Sequence, residues 1–385
     1  MSRQKVLDEM IATGISASKL DGAMPAIDGS AVTGVGDGVT KSASDPATDT
    51  NPSGGVGTVW LNTSSGEMFC CTDATTDENV WVNIGGGSGD IPAPYNGYVS
   101  GGEGGGQPKD GAVYKFEFAN GSTNYSWGSL SGSTATGGQS SSSTHGYSMG
   151  GQPFNSAGTK VDKFSFASAN DTTNLSDCSG RDLAGGAHSS TKGYLLGGRN
   201  PNVSSSIQSV TFSNDSVNNG IGSLAQSLYV IRAASNGSTH SYINGGRNSG
   251  NGKISTINTF AHANENNSST HGSLDVGSIE GTMGTENPTT QEGFSCGGTT
   301  GTYQNVIEKY SFASANQSSD HGDLNIAVSS GASCRSLTQG MIPGGGGPTV
   351  NHADRMMFDF ASNVTSTDIG DLEVARSWHL GHQVS

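Results

Sequence analysis

GYVSGG (97–102), GYSMGG (146–151), GYLLGG (193–198), SYINGG (241–246), GFSCGG (293–298) and GMIPGG (340–345) repeat one phrase at intervals of 49, 47, 48, 52 and 47 residues. A second phrase follows each: YKFEFAN (114–120), DKFSFAS (162–168), QSVTFSN (208–214), NTFAHAN (258–264), EKYSFAS (308–314) and MMFDFAS (356–362). Two large residues alternate there with small or polar ones, and a period of two places both on one face of a strand. A third phrase, Gly-x-Leu, comes next at 128–130, 222–224, 272–274, 322–324 and 370–372; the second repeat has NLSDCSG (174–180) instead. A small-residue stretch such as TATGGQ (134–139) or IRAASN (231–236) then runs through a polar turn, STH or LTQ, into the next opening phrase.

Internal repetition with a period near 48 residues decides the architecture before any local detail. Each unit reads as four short strands with three turns. One such sheet cannot bury both faces, whereas sheets packed face to face around an axis can, and closing the ring leaves only short edges. The chain is therefore expected to be all-β, with a six-bladed β-propeller over 91–385. The aromatics Phe116 and Phe118, or Tyr310 and Phe312, are expected to pack between blades. The paired glycines are expected to end the second strand where backbones crowd or φ turns positive. The phrase order predicts the closure. The first opening phrase lacks a small-residue strand before it, and the last repeat ends in ARSWHLGHQVS (375–385), such a strand with no phrase after it. Residues near Trp378–Val384 are expected to pair with Tyr98–Gly101 and latch the first blade.

The glycine pairs at 101–102, 150–151, 197–198, 245–246, 297–298 and 344–345, each with a downstream aromatic, resemble the kelch repeat over residues 95–385. The tryptophan that usually follows the kelch aromatic is missing from most units. Before the repeats, residues 1–48 read as a short amphipathic helix (3–12, with Val6, Leu7, Met10 and Ile11 as its stripe) and an extended Gly/Ser/Ala/Asp/Thr linker. Residues 49–90 read as a small antiparallel meander of VGTVWLN (56–62), EMFCCTD (67–73) and ENVWVNI (78–84), with Trp60, Phe69 and Trp81 as its aromatics. The stretch SKLDGAMPAIDGSAVTGV (18–35) resembles linkers at the N-terminal ends of bacteriophage tail-fibre proteins. The 56–84 module is similar to one common in marine phage structural proteins, and more faintly to small chitin-binding modules.

Composition removes several function classes. Net charge is −15, with 18 basic residues and no basic cluster, so phosphate-backbone binding is disfavoured. No apolar run reaches membrane-spanning length, and the first residues lack a cleavable apolar core. Five cysteines, Cys70, Cys71, Cys178, Cys296 and Cys334, show no metal or disulfide spacing and read as buried thiols. No nucleophile elbow, H-E-x-x-H, phosphate loop or copper-site phrase is present, so neither an enzyme nor a cofactor is expected. Two sets of residues are candidate partner contacts. Trp60 and Trp81 would stack on a sugar. Asn96, His145, Lys192, His240, Glu292 and Gln339, each five residues before a glycine pair, would form a polar ring on one face. His271 and His321, in THG and DHG, read as turn residues. The layout of docking segment, stalk, β module and display domain suggests a virion structural protein of a tailed phage. In this reading it is a tail-fibre or spike-like appendage, oligomeric (a trimer), assembled in the host cytoplasm, held to other virion proteins through 1–35 and touching a host-surface glycan or protein. A head decoration or a free carbohydrate-binding propeller is the alternative.

Overall fold

A computed structural model describes residues 39–84 and 96–383, apart from 105–108, 119–123, 154–157, 233 and 266. The helix expected at 3–12 and the segment 1–35 expected to hold a partner lie outside the described residues. The chain divides between Ala93 and Pro94 into two units. All regular structure among the described residues is β-strand.

The first unit holds a four-stranded sheet. Strands Val59–Asn62, Met68–Asp73 and Val80–Asn83 form the expected meander. A fourth strand, Val39–Ser42, pairs in parallel with Val59–Asn62, from a stretch read as linker in sequence. Polar side chains hold the chain that follows it. Trp60 Nε1 donates to the Ser44 carbonyl at 2.9 Å, Asn62 to Asp45 at 2.7 Å and Asn79 to the Thr48 carbonyl at 2.8 Å. Phe69, Cys71 and Trp81 form the buried centre, with Trp60 edge-on to Trp81 at 5.9 Å.

Among the described residues the second unit contains six four-stranded antiparallel sheets. Five take their strands in chain order, beginning at Gly138–Ser141, Gly185–His188, Ser235–Asn236, Met283–Asn287 and Cys334–Arg335, the third of these skipping the short strand Arg247–Asn248. The remaining sheet, called the first here, takes its innermost strand from the C-terminus. Leu380–Gln383 pairs with Gly97–Ser100, with Leu380 opposite Ser100 and Gln383 opposite Gly97. That is the pairing expected from phrase order. In every sheet a bulge interrupts the third and fourth strands at an equivalent place, for example between Val113 and Tyr114 or Ile307 and Glu308.

The repeated phrases have separate structural causes. The glycine before the aromatic lies opposite a large side chain on the third strand: Gly97 opposite Phe116, Gly146 opposite Phe164, Gly293 opposite Tyr310 and Gly340 opposite Phe358. A Cβ on Gly293 would sit 2.4 Å from the Tyr310 ring, so the ring occupies the missing side chain's space. Both members of all six glycine pairs have positive φ. In the fifth sheet a Cβ on Gly297 would also fall 2.4 Å from the Val328 carbonyl. The leucine of Gly-x-Leu is buried in five repeats, and its amide bonds to a carbonyl just before the third strand, as Leu224 does to Ser205, or near that strand's start, as Leu372 does to Ala353. Cys178 makes the equivalent bond to Thr159 and is buried, so the divergent second repeat keeps the site with a smaller apolar group.

The aromatic of each opening phrase ties its sheet to the next. Tyr98 stacks on Phe166 at 4.6 Å, Tyr147 on Phe212 at 4.8 Å, Tyr194 on His262 at 5.9 Å, Tyr242 on Phe312 at 4.2 Å and Phe294 on Phe360 at 4.9 Å. Met341 takes the same position in the sixth sheet and shares a buried cluster with Val99, Phe116 and Phe118 of the first. Six such clusters occur, each joining one consecutive pair of sheets. Burying one such side chain contributes roughly 1.5–3 kcal/mol, with about 0.5–1.5 more for a well-oriented aromatic pair. His271 and His321 lie on fourth strands, not in turns as read from sequence. Each ring bonds a carbonyl of the following sheet, Ser311 at 2.8 Å and Asp359 at 2.9 Å. Trp127 is their equivalent and donates to the Ser165 carbonyl at 2.7 Å.

Candidate ligand-binding recess

Just before each innermost strand one residue adopts a left-handed conformation: Thr136, Leu183, Val230, Gly281, Ser330 and Trp378, with φ between 52° and 66°. Five of the six are not glycine, and Thr136 and Val230 are β-branched, for which this region costs about 1–3 kcal/mol each. Backbone hydrogen bonds between repeats hold them there. Thr136 N donates to Trp378 O at 3.0 Å, Trp378 N to Ser330 O at 2.6 Å, Ser330 N to Gly281 O at 2.8 Å and Gly281 N to Val230 O at 3.1 Å. Ala184 N donates to Thr136 O at 3.2 Å. The residue before each of these six also bridges the residue just after a glycine pair: Ala135 to Gln152, Asp182 to Arg199, Tyr229 to Arg247, Glu280 to Thr299, Ser329 to Gly346 and Ser377 to Glu103.

These residues border a recess of about 360 Å³. Leu183, Val230, Gly281, Ser330 and Trp378 line it, together with Arg199, Tyr229, Arg247, Asn251, Glu280 and Tyr303. In a chain with only 13% charged residues, this lining concentrates charge. Arg247 makes a two-pronged contact with Glu280, one prong at 2.6 Å, and donates to Asn251 at 2.6 Å. Pairing with Glu280 raises the Arg247 pKa above its ordinary value. Lys253 Nζ lies 3.7 Å from the same carboxylate. Arg199 pairs with buried Asp182 at 3.3 Å and lies 5.2 Å from the Tyr229 ring centre. Aromatic faces beside fixed guanidinium and carboxylate groups suit a polar ligand with apolar faces, such as a sugar.

Six innermost strands also border one narrow cavity through Gln139, Gly186, Ala234, Gly284, Ser333 and Gly381. Ser141, His188, Asn236, Glu286 and Gln383 line it too, and with Arg335 each is paired in register with the first residue of an opening phrase. Arg335 and Glu286 are buried and 2.5 Å apart, and Asn236 N donates to Glu286 at 2.9 Å. Burial with Arg335 nearby pushes the His188 pKa down to about 3.

The six residues expected to form a polar ring all begin a second strand and are all half-buried. Four spend their polar ends within the fold. Lys192 pairs with Glu265 at 2.9 Å, Glu292 with Lys309 at 3.3 Å, Gln339 donates to Asp359 at 2.9 Å, and His240 shares a bond with Thr239 at 2.8 Å. His145 mirrors His240, bonding Thr144 at 2.8 Å, and burial lowers its pKa. Asn96 has a buried side-chain oxygen with no hydrogen-bond partner among the described residues. His145 and His240 border two separate, equivalent grooves, beside Phe212 and Phe312 respectively. Trp81 is wholly buried, so it offers no ring face to a sugar, and Trp60 is half-buried against it. Apart from Trp378, expected at the closing strand, the recess residues lie outside the repeated phrases. Their signal was the doubled GGRN at 197–200 and 245–248, which places an arginine directly after two glycine pairs.

Asp354, Asp368 and Asp371 bring carboxylate oxygens within 4.8 Å of one another on the sixth sheet; two of the three residues are exposed. Among the described residues no helix is long and apolar enough to cross a membrane. No family model matches the chain, and no curated protein matches it. Solved structures do match. That of YjhT aligns with a TM-score of 0.55 and 13% identity over 65% of this chain and 87% of its own, a likeness of β-rich fold alone.

Proposed function

We propose that residues 96–383 form a closed six-bladed, kelch-like β-propeller. We further propose that this propeller is a non-enzymatic binding domain of a virion structural protein, displayed by a tailed-phage appendage and engaging a host-surface glycan through the recess lined by Trp378. Closure is supported by the Leu380–Gln383 pairing with Gly97–Ser100, the buried cluster joining sheets six and one, and the bonds running from repeat to repeat through the left-handed residues. The observation that carries the binding reading is the recess itself, where Tyr229, Tyr303 and Trp378 meet Arg199, Arg247 and Glu280. Attachment through residues 1–35 and assembly as an oligomer rest on the phage-like phrase at 18–35 and on the layout of the chain.

The test is binding of the purified full-length protein to a glycan array and to intact host cells, beside a Tyr303→Ala variant, because Tyr303 is half-buried whereas Tyr229 is buried under Arg199. A restricted set of glycans and at least a tenfold loss in the variant are expected, since truncating an aromatic anchor at a binding site costs about 2 kcal/mol or more. No glycan or cell binding, or binding unchanged by the variant, would remove the recess as the binding site.

A further inference from the structure

At or just before the start of each innermost strand, the residue two places after the left-handed residue is Gly138, Gly185, Arg232, Met283, Ala332 or Leu380. Five are small or apolar, and one is an arginine. Arg232 is 5% exposed. Its Nη2 donates at 2.5 Å to the carbonyl of His379, which precedes the innermost strand of the first sheet, three sheets away from its own. The guanidinium therefore reaches across the space between the six innermost strands. It stands 5.4 Å from the Trp378 ring centre.

Nothing described balances its charge. Nε and Nη1 have no hydrogen-bond partner, and among the described residues no carboxylate lies within 4.0 Å. Burial alone lowers the group's pKa to about 10, so it stays protonated at neutral pH. His379 supplies no negative charge. Its Nε2 bonds the Pro343 carbonyl at 2.9 Å, and burial beside Arg376 and Arg232 holds its pKa well below the ordinary value. An unpaired ion in such a place costs several kcal/mol unless a counter-charge is present. The other three buried arginines have acidic groups beside them: Arg376 has Asp110 at 3.0 Å, Arg335 has Glu286 at 2.5 Å, and Asp368 and Asp371 act on Arg355, which lies 5.2 Å from the Phe116 ring centre.

We propose that Arg232 holds a small monovalent anion of chloride size between the six innermost strands, hydrogen-bonded by Nε and Nη1. The anion neutralises the buried guanidinium and adds its binding free energy to that of the fold. This site is independent of glycan binding.

The test measures the melting temperature of the full-length protein at constant ionic strength while chloride replaces gluconate, which is too large to enter. The expected result is a saturable rise of roughly 5 °C between 1 and 100 mM chloride, a size set by linkage for millimolar affinity. Arg232→Met, which copies the residue at the equivalent position 283, is expected to lose that rise. A flat response in the wild type, as water alone around the guanidinium would give, overturns the proposal, and so does an equal rise in the variant. Should the variant not fold, bromide-soaked wild-type crystals decide. An anomalous peak within hydrogen-bonding distance of the Arg232 guanidinium supports the site, and a map without one refutes it.

Discussion

Lowering the pH from 7 to 5 is expected to destabilise the second unit by several kcal/mol, because the fold buries histidines in their neutral form. His382 is wholly buried on the closing strand. Its Nδ1 donates to the Ser140 carbonyl at 3.1 Å, which leaves Nε2 to accept from the Ser100 hydroxyl at 2.9 Å. Every bond is satisfied by the neutral ring, and burial pushes its pKa down to about 4. His188 is pushed down to about 3 by burial and by Arg335. His379 is lowered in the same direction. In the unfolded chain these groups titrate near 6.5. Their folded values lie below that, so between roughly pH 6.5 and 4 the unfolded state binds more protons. Stability is fully present above pH 6.5 and falls as the pH drops. At pH 5 the linkage relation gives a loss of about 2 kcal/mol for His382 and about 2 kcal/mol for His188. His379 adds to it. Buried Asp162 and Glu308, whose pKa values burial raises, act oppositely and stabilise the acid side. The assay is urea unfolding at pH 7, 6 and 5 in one buffer of fixed ionic strength, read by tryptophan fluorescence. His382→Gln keeps polar groups at the site and is expected to remove one proton from the pH slope. A midpoint that holds steady from pH 7 to 5, or a His382→Gln slope equal to the wild type, would refute the reasoning.

Three further outcomes follow from particular contacts. Gly293→Ala is expected to cost about 1–3 kcal/mol by driving a methyl into the Tyr310 ring, whereas Gly220→Ala, whose Cβ would meet nothing within 4 Å, is expected to stay within about 0.5 kcal/mol; chemical denaturation compares them. A chain ending at Trp378 loses Leu380–Gln383 and leaves the first sheet without its inner strand, so its melt by circular dichroism is expected to lose the cooperative transition and not merely shift by a degree or two. Of the five thiols only half-buried Cys70 is expected to react quickly with a thiol reagent at pH 8, because burial raises the pKa of Cys71, Cys296, Cys178 (to about 11) and Cys334 (to about 12); two or more fast equivalents in the folded protein would count against the packing.

The parts of the fold legible in sequence were those written six times. Glycine, aromatic and glycine pair each answer one steric demand that recurs in every sheet, so the period and the pairing of the last strand with Gly97–Ser100 were readable without coordinates. The strand Val39–Ser42 was not, because Asn62, Asn79 and Trp60 hold the chain after it by hydrogen bonds to backbone and carboxylate oxygens, and polar anchoring of that kind leaves no hydrophobic period. His271 and His321 were misplaced for a related reason. Their polarity suggested turns, while the structure uses each ring as a donor to the next sheet. The recess was hidden differently. Arg199 and Tyr229 lie in one repeat, Arg247 in the next and Trp378 in the last, so no single repeat spells the site; a residue that matters by differing from its counterparts is not visible as a shared position. Arg232 is the clearest case, an arginine where its counterparts are small or apolar.

Cryo-electron microscopy of the tailed-phage particle in which this protein is proposed to sit tests the central proposal most directly. The expected density is a six-bladed disc at a tail or vertex position, its last strand completing the first blade, with residues 1–35 seated in another virion protein. A particle that contains the protein in no such density, or that assembles and attaches to its host unchanged without it, would contradict the account.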